Sequence, residues 1–103
     1  MNTGAITHDA MPCPDLVCTG YHETYQTTGY NTSTYTWELP DGGGFITNSN
    51  GTSCNVVWGN TVGQYTLTVQ ETTPDGCMGD LQTCVVNVFI PTIEFDTNQY
   101  IIC

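Results

Sequence analysis

Six cysteines, two histidines and ten carboxylates are the side chains of this 103-residue chain that could do chemistry, and no lysine or arginine accompanies them. The cysteines are Cys13, Cys18, Cys54, Cys77, Cys84 and Cys103. None stands in a Cys-x-x-Cys pair. Cys13 and Cys18, taken with His8 and His22, lack the close paired spacing of a structural zinc site. Disulfides formed in an oxidising compartment account for such a set better, which predicts an extracellular or cell-surface protein.

Catalysis needs a nucleophile, a base and an orienting group within reach of one another. His8 and His22 fall in no Ser/His/Asp pattern, and both read as solvated. The carboxylates are scattered and form no glycosidase-like pair. Gly42-Gly43-Gly44 has the glycine content of a phosphate loop but no following Lys. The chain is therefore expected to be non-catalytic.

Calcium is the metal whose chemistry fits best, since hard cations collect carboxylate, amide and carbonyl oxygens from loops. Asp75 and Asp80, with Glu71, flank a late turn, and Glu94 and Asp96 follow Pro91. No Asp-x-Asp-x-Asp spacing is present, so solvated acids are the simpler reading, and no other cofactor is expected. Tyr21, Tyr25 and Tyr30, expected to be exposed, are the aromatic side chains that could stack on sugar rings, the alternative being ordinary cross-strand packing.

The charge excludes whole classes of partner. At a formal −10, with no cationic side chain but histidine, the chain cannot neutralise nucleic-acid phosphates or anionic lipid. It also offers trypsin-like proteases no residue to cut after. Only 10% of residues are charged, so Thr, Asn, Ser, Gly and Gln carry the polarity instead. The opening residues have neither a basic region nor an apolar run. If the protein is exported, its signal is expected upstream and the chain is a piece of something longer.

The elements that must position these side chains are strands. Period-two alternation puts Tyr35, Trp37 and Leu39 on one face of 34–39, and Cys54, Val56 and Trp58 on one face of 54–58. It does the same for Tyr65, Leu67 and Val69, and for Cys84, Val86, Val88 and Ile90. A weaker strand runs from Glu23 to Thr28. No segment has helical spacing. Turn chemistry at Pro40–Gly44, Asn48–Gly51, Gly59-Asn60 and Thr73–Gly76 separates the strands. The expectation is an all-β sandwich over residues 15–91, with Trp37, Trp58, Tyr65, Leu67 and Val69 in its core. Residues 1–14 read as a linker or leader. Residues 92–103 read as a junction and a fresh strand, whose apolar Tyr100-Ile-Ile-Cys103 must be covered by something.

The succession Tyr35-Thr-Trp-Glu-Leu-Pro-Asp-Gly-Gly, Ser53-Cys-Asn-Val-Val-Trp-Gly, Gly63-Gln-Tyr-Thr-Leu-Thr-Val-Gln-Glu and Asp75-Gly-Cys77 resembles a PKD-like repeat. Such immunoglobulin-like repeats occur in tandem in large surface proteins of the Bacteroidetes, including gliding-motility adhesins and type IX-secreted proteins. The resemblance covers Leu16 to Ile90. It implies an antiparallel sandwich of about seven strands that serves as a structural or adhesive spacer in an adhesin or filament. A glycan-binding module is the alternative.

In such repeats an early Cys-x-Gly pairs with the Gly-Cys of the late hairpin, so the resemblance implies a Cys18–Cys77 bridge. Cys13–Cys84 is its competitor. Cys54 and Cys84 both point inward by alternation and either pair or sit as buried thiols. Cys103 stands where the Cys18 of a following repeat would stand, which predicts an inter-repeat or intermolecular role, with neighbouring repeats or identical subunits as partners.

Overall fold

The structure is a computed structural model, and it describes residues 4–8 and 11–90. Among these residues there are nine strands and no helix: β1 (Thr7–His8), β2 (Met11–Pro12), β3 (Asp15–Cys18), β4 (His22–Gln26), β5 (Thr34–Glu38), β6 (Gly44–Asn50), β7 (Ser53–Trp58), β8 (Gly63–Thr72) and β9 (Gln82–Phe89). They form two sheets, ordered β2-β1-β4-β7-β6 and β3-β9-β8-β5. The expected all-β sandwich is what the chain builds.

The count exceeds seven because the first strand is broken into three pieces. Pro12 and Pro14 offer no backbone N–H, so no long ladder can run through them. The chain pairs with β4 through β1, then crosses to the other sheet and pairs with β9 through β3. This β3–β9 pairing is parallel, where an antiparallel sandwich was expected, and every other pairing is antiparallel.

Ile6, buried at 1% exposure, anchors this broken strand in the core. Residues 1–14 were expected to be a linker or leader. Gly4 to His8 and Met11 to Pro14 instead belong to the sandwich. The signal was missed because two-residue strands have no room for alternation. Residues 92–103, with their expected junction strand, lie outside the described residues.

The core lies between the sheets. Trp37, Cys54, Val56, Trp58, Leu67, Val69, Cys84, Val86 and Val88 are buried there, with Tyr25 and Ile6. Two inward placements need correction. Tyr65 is half-buried and packs at the core's edge, its ring 6.3 Å from that of Trp58 and its hydroxyl donating to the Thr61 carbonyl at 3.0 Å. It sits near the start of β8, and Gly43 covers its ring so closely that a Cβ there would lie 2.4 Å from it. Ile90 is exposed, because β9 ends at Phe89 and the alternation no longer binds it.

The strands also fix two poles. His22 at the start of β4 pairs with Val57, which also pairs with Phe45. The Gly20 N–H donates to the Trp58 carbonyl at 3.1 Å. These residues, with Thr19, Gly43 and Gly59, form the upper pole. Thr28 follows the other end of β4 and, with Gly29, Tyr30, Gly51 and Thr73, marks the lower pole.

Candidate functional site

The most elaborate cluster of titratable side chains lies where β1 meets β3 and β4. His8 Nδ1 is 2.9 Å from Asp15 Oδ2, and His8 Nε2 is 3.0 Å from Glu23 Oε2. His8 thus sits between two carboxylates, one at each ring nitrogen. The His8 ring lies 4.9 Å from that of Tyr25. The Tyr25 hydroxyl donates to the same Asp15 Oδ2 at 2.9 Å and accepts from Trp58 Nε1 at 3.2 Å. Burial, reinforced by the Asp15 carboxylate, pushes the Tyr25 phenol well above its ordinary value. His8 was expected to be solvated. It is instead largely enclosed, while His22 is exposed.

This cluster fastens strands to one another. Both nitrogens of His8 face carboxylates, which leaves neither as a base for a nucleophile. The contacts join three separate strands, and they do so where β1 has only two residues of backbone pairing with β4.

A second carboxylate is fully buried at the lower pole. Glu71 continues the inward phase of Tyr65, Leu67 and Val69, and its side chain is 0% exposed. The Ser33 hydroxyl donates to it at 2.5 Å and the Tyr30 N–H at 3.3 Å. The Tyr35 hydroxyl donates to the Tyr30 carbonyl at 2.6 Å, and partial burial, then Glu71, raises its pKa. Extending the alternation by two residues would have found Glu71.

The cysteines are arranged differently from the resemblance. Cys13 is bonded to Cys84, 71 residues away. Cys18 is disulfide-bonded as well, but not to Cys77, which is free and exposed. The implied Cys18–Cys77 bridge is therefore corrected, and so is a Cys54–Cys84 pair. The reason is where the strands run. Cys18 closes β3 at the upper pole, opposite Phe89, whereas Cys77 sits in the turn at the lower pole. Cys54 is a buried free thiol, and burial raises its pKa from 9.0 to about 11. Cys103 lies outside the described residues.

The calcium candidates are not drawn together. Asp75 Oδ1 accepts from the Thr73 hydroxyl at 2.8 Å within its own turn, and Asp80 is exposed. Glu94 and Asp96 lie outside the described residues. Among those described, no group of three or more His, Cys, Asp or Glu is placed to hold a metal. The tyrosines do not form one platform either. Tyr25 is fully buried, contrary to expectation, while Tyr21 and Tyr30 are 45% and 51% exposed at opposite poles.

The strand order decides the fold type. With the broken first strand as A, the sheets read A-B-E-D and A′-G-F-C. This is an immunoglobulin-like sandwich. A scan against protein-family models finds no match, and neither does a search of curated proteins. Among solved structures, a chain from the crystal structure of the titin M10–obscurin-like 1 Ig complex is similar, at 14% identity and a TM-score of 0.45, over 84% of this chain and 96% of that one. The immunoglobulin-like assignment rests on the strand order itself.

Proposed function

We propose that this immunoglobulin-like domain is a non-catalytic, extracellular structural or adhesive repeat of a large surface protein or filament, acting as a protease-resistant spacer. The observation that carries the reading is the path of the chain from pole to pole. The Gly4 N–H donates to the Thr28 carbonyl at 2.6 Å at the lower pole, and the Thr19 N–H donates to the Phe89 carbonyl at 3.0 Å at the upper one. The six residues between Tyr21 and Thr28 correspond to roughly 20 Å of extended chain. A domain entered at one pole and left at the other transmits tension along its length and stacks end to end.

Two further features support the reading. The Cys13–Cys84 bond ties the entering segment to the strand that leaves. The absence of Lys and Arg leaves trypsin-like proteases nothing to cut, folded or unfolded.

The test is the mass of the native polypeptide, measured denatured with and without reductant. A reduced mass well above 11.2 kDa is expected for one repeat of a longer chain. A reduced mass near 11.2 kDa, with a ladder of multiples appearing without reductant, places the domain as a subunit of a disulfide-joined filament. A single 11.2 kDa species under both conditions overturns the spacer reading.

A further inference from the structure

A sheet that ends in an open strand presents unpaired backbone N–H and C=O groups to any other strand. Among the described residues this sandwich has four edges: β2 and β6 in one sheet, β3 and β5 in the other. Three of them carry the devices that block pairing. β2 is two residues long and ends in Pro12. β3 begins with Asp15 directly after Pro14. β5 ends with Glu38, and Pro40 follows two residues later. β6, Gly-Phe-Ile-Thr-Asn-Ser-Asn, has seven residues with no proline and no charge.

That neutrality matters in a chain of net charge −10. Most of the surface repels another copy, and β6 is the edge where two copies could meet without setting like charges against each other. The nearest charged residue in sequence, Asp41, precedes the upper end of the strand. An antiparallel pairing of two β6 strands sends the two Asp41 side chains to opposite ends of the interface. Phe45 is 74% exposed on the same strand, the highest exposure of any large apolar side chain described.

The hairpin geometry shows which backbone groups are open. Asn50 and Ser53 flank the two-residue turn Gly51-Thr52, with Gly51 at φ +60°. A glycine at the first central position suits a type II′ turn, whose flanking residues exchange backbone hydrogen bonds. Pairs alternate along an antiparallel ladder, so the next one, Ser49 with Cys54, is not hydrogen-bonded. The N–H and C=O of Ser49 therefore point away from β7. Among the described residues nothing pairs with that side of β6. The bulge between Ile46 and Asn48 bends the strand but leaves Asn48 to Asn50 in regular register with β7.

We propose that β6 is a docking edge for the β6 of a second copy of this chain, related by a two-fold axis, so that the two five-stranded sheets become one sheet of ten. In an array this contact is lateral and lies at right angles to the pole-to-pole path, so repeats of neighbouring arrays would be zipped side by side.

The test is sedimentation equilibrium over roughly a hundredfold range of concentration. The full chain carrying Cys77→Ser is used, so that the exposed thiol cannot cross-link copies. A monomer–dimer equilibrium is expected, and added salt should tighten it by screening the net charge. Ser49→Pro removes an outward N–H without touching the β6–β7 ladder, and should weaken the dimer by roughly tenfold or more. Phe45→Glu sets a like charge into the edge on an exposed side chain, and should do the same even if the proline variant folds poorly. A monomer at every concentration overturns the proposal. A dimer that both well-folded variants leave unchanged overturns it too, because the contact would then lie elsewhere.

Discussion

The β8–β9 hairpin and the N-terminal arm are held in the same sandwich by opposite means. β8 and β9 are joined by a seven-residue backbone register from Gly63↔Val88 to Val69↔Gln82. The arm, residues 4–8 and 11–18, pairs two residues with β4 and four with β9. Its attachment comes from side chains: Ile6 in the core, the Cys13–Cys84 bond, and His8 between Asp15 and Glu23. A ladder is cooperative and uniform, whereas side-chain fasteners act at separate points and can be removed one at a time.

The largest effect should follow from removing the bond between the two regions. Cys13→Ala with Cys84→Ala opens a 71-residue loop, which in the chain-entropy model costs about 4 kcal/mol. The double variant is preferred to a reductant because Cys18 is also disulfide-bonded. Urea unfolding measures the loss. Hydrogen exchange locates it, and the β1–β3 amides should lose protection before those of β8 and β9. Equal loss in both regions would mean that the arm and the hairpin form one cooperative unit.

Next is Ile6→Ala, which empties a fully buried site. A loss of about 2–4 kcal/mol is expected, as for other large-to-small core changes. A change within about 0.5 kcal/mol, the range of exposed positions, would show that the arm does not contribute to the core.

Alkaline pH probes the ladder-held centre. Cys54 on β7 holds its proton up to about pH 11 when folded, against 9.0 for an ordinary thiol, because burial disfavours the thiolate. The Tyr25 phenol is raised for the same first reason. Both groups keep protons in the folded state that the unfolded chain releases. The Cys54 contribution is complete below about pH 9 and is lost as the pH rises through 11, whereas that of Tyr25 begins to fall only above its ordinary value of 10.0. The Cys54 share is about 2–3 kcal/mol, readable from urea midpoints at successive pH values. Thiol labelling sharpens the contrast: exposed Cys77 should react promptly at neutral pH, and Cys54 only as fast as the domain opens. Equal labelling rates would contradict the buried placement of Cys54.

What the sequence revealed follows the same division. Strands β5, β7, β8 and β9 are long enough for alternation to show, and it correctly placed Trp37, Cys54, Val56, Trp58, Leu67, Val69, Val86 and Val88 inside. The same pattern overreached near strand ends, where Tyr65 packs only at the core's edge and Ile90 lies beyond the last residue of β9. The arm was illegible because its two-residue strands carry no period and its anchors are single side chains. His8 looked solvated because nothing in sequence joins it to Asp15 and Glu23, which β3 and β4 bring to it. The bridge implied by the late Gly-Cys failed because Cys18 and Cys77 lie at opposite poles.

The smallest effect concerns how the arm's polar contacts join the core. Tyr25→Phe keeps the ring and its packing but removes one hydroxyl. Asp15 then loses a donor, and Trp58 Nε1 loses its acceptor inside the core. Stranding a buried donor costs about 1–2 kcal/mol. His8→Gln removes the ring between the two carboxylates and should cost a similar amount or less, since the pairs are partly exposed. The informative quantity is their sum. Asp15 Oδ2 serves both His8 and Tyr25, so the two losses should not add in the double variant, and a coupling of at least about 0.5 kcal/mol is expected from the cycle. Strict additivity would mean that the His8 contact and the Tyr25–Trp58 pair stabilise the arm and the core independently of each other, leaving buried Ile6 and Val17 and the Cys13–Cys84 bond to reach the centre.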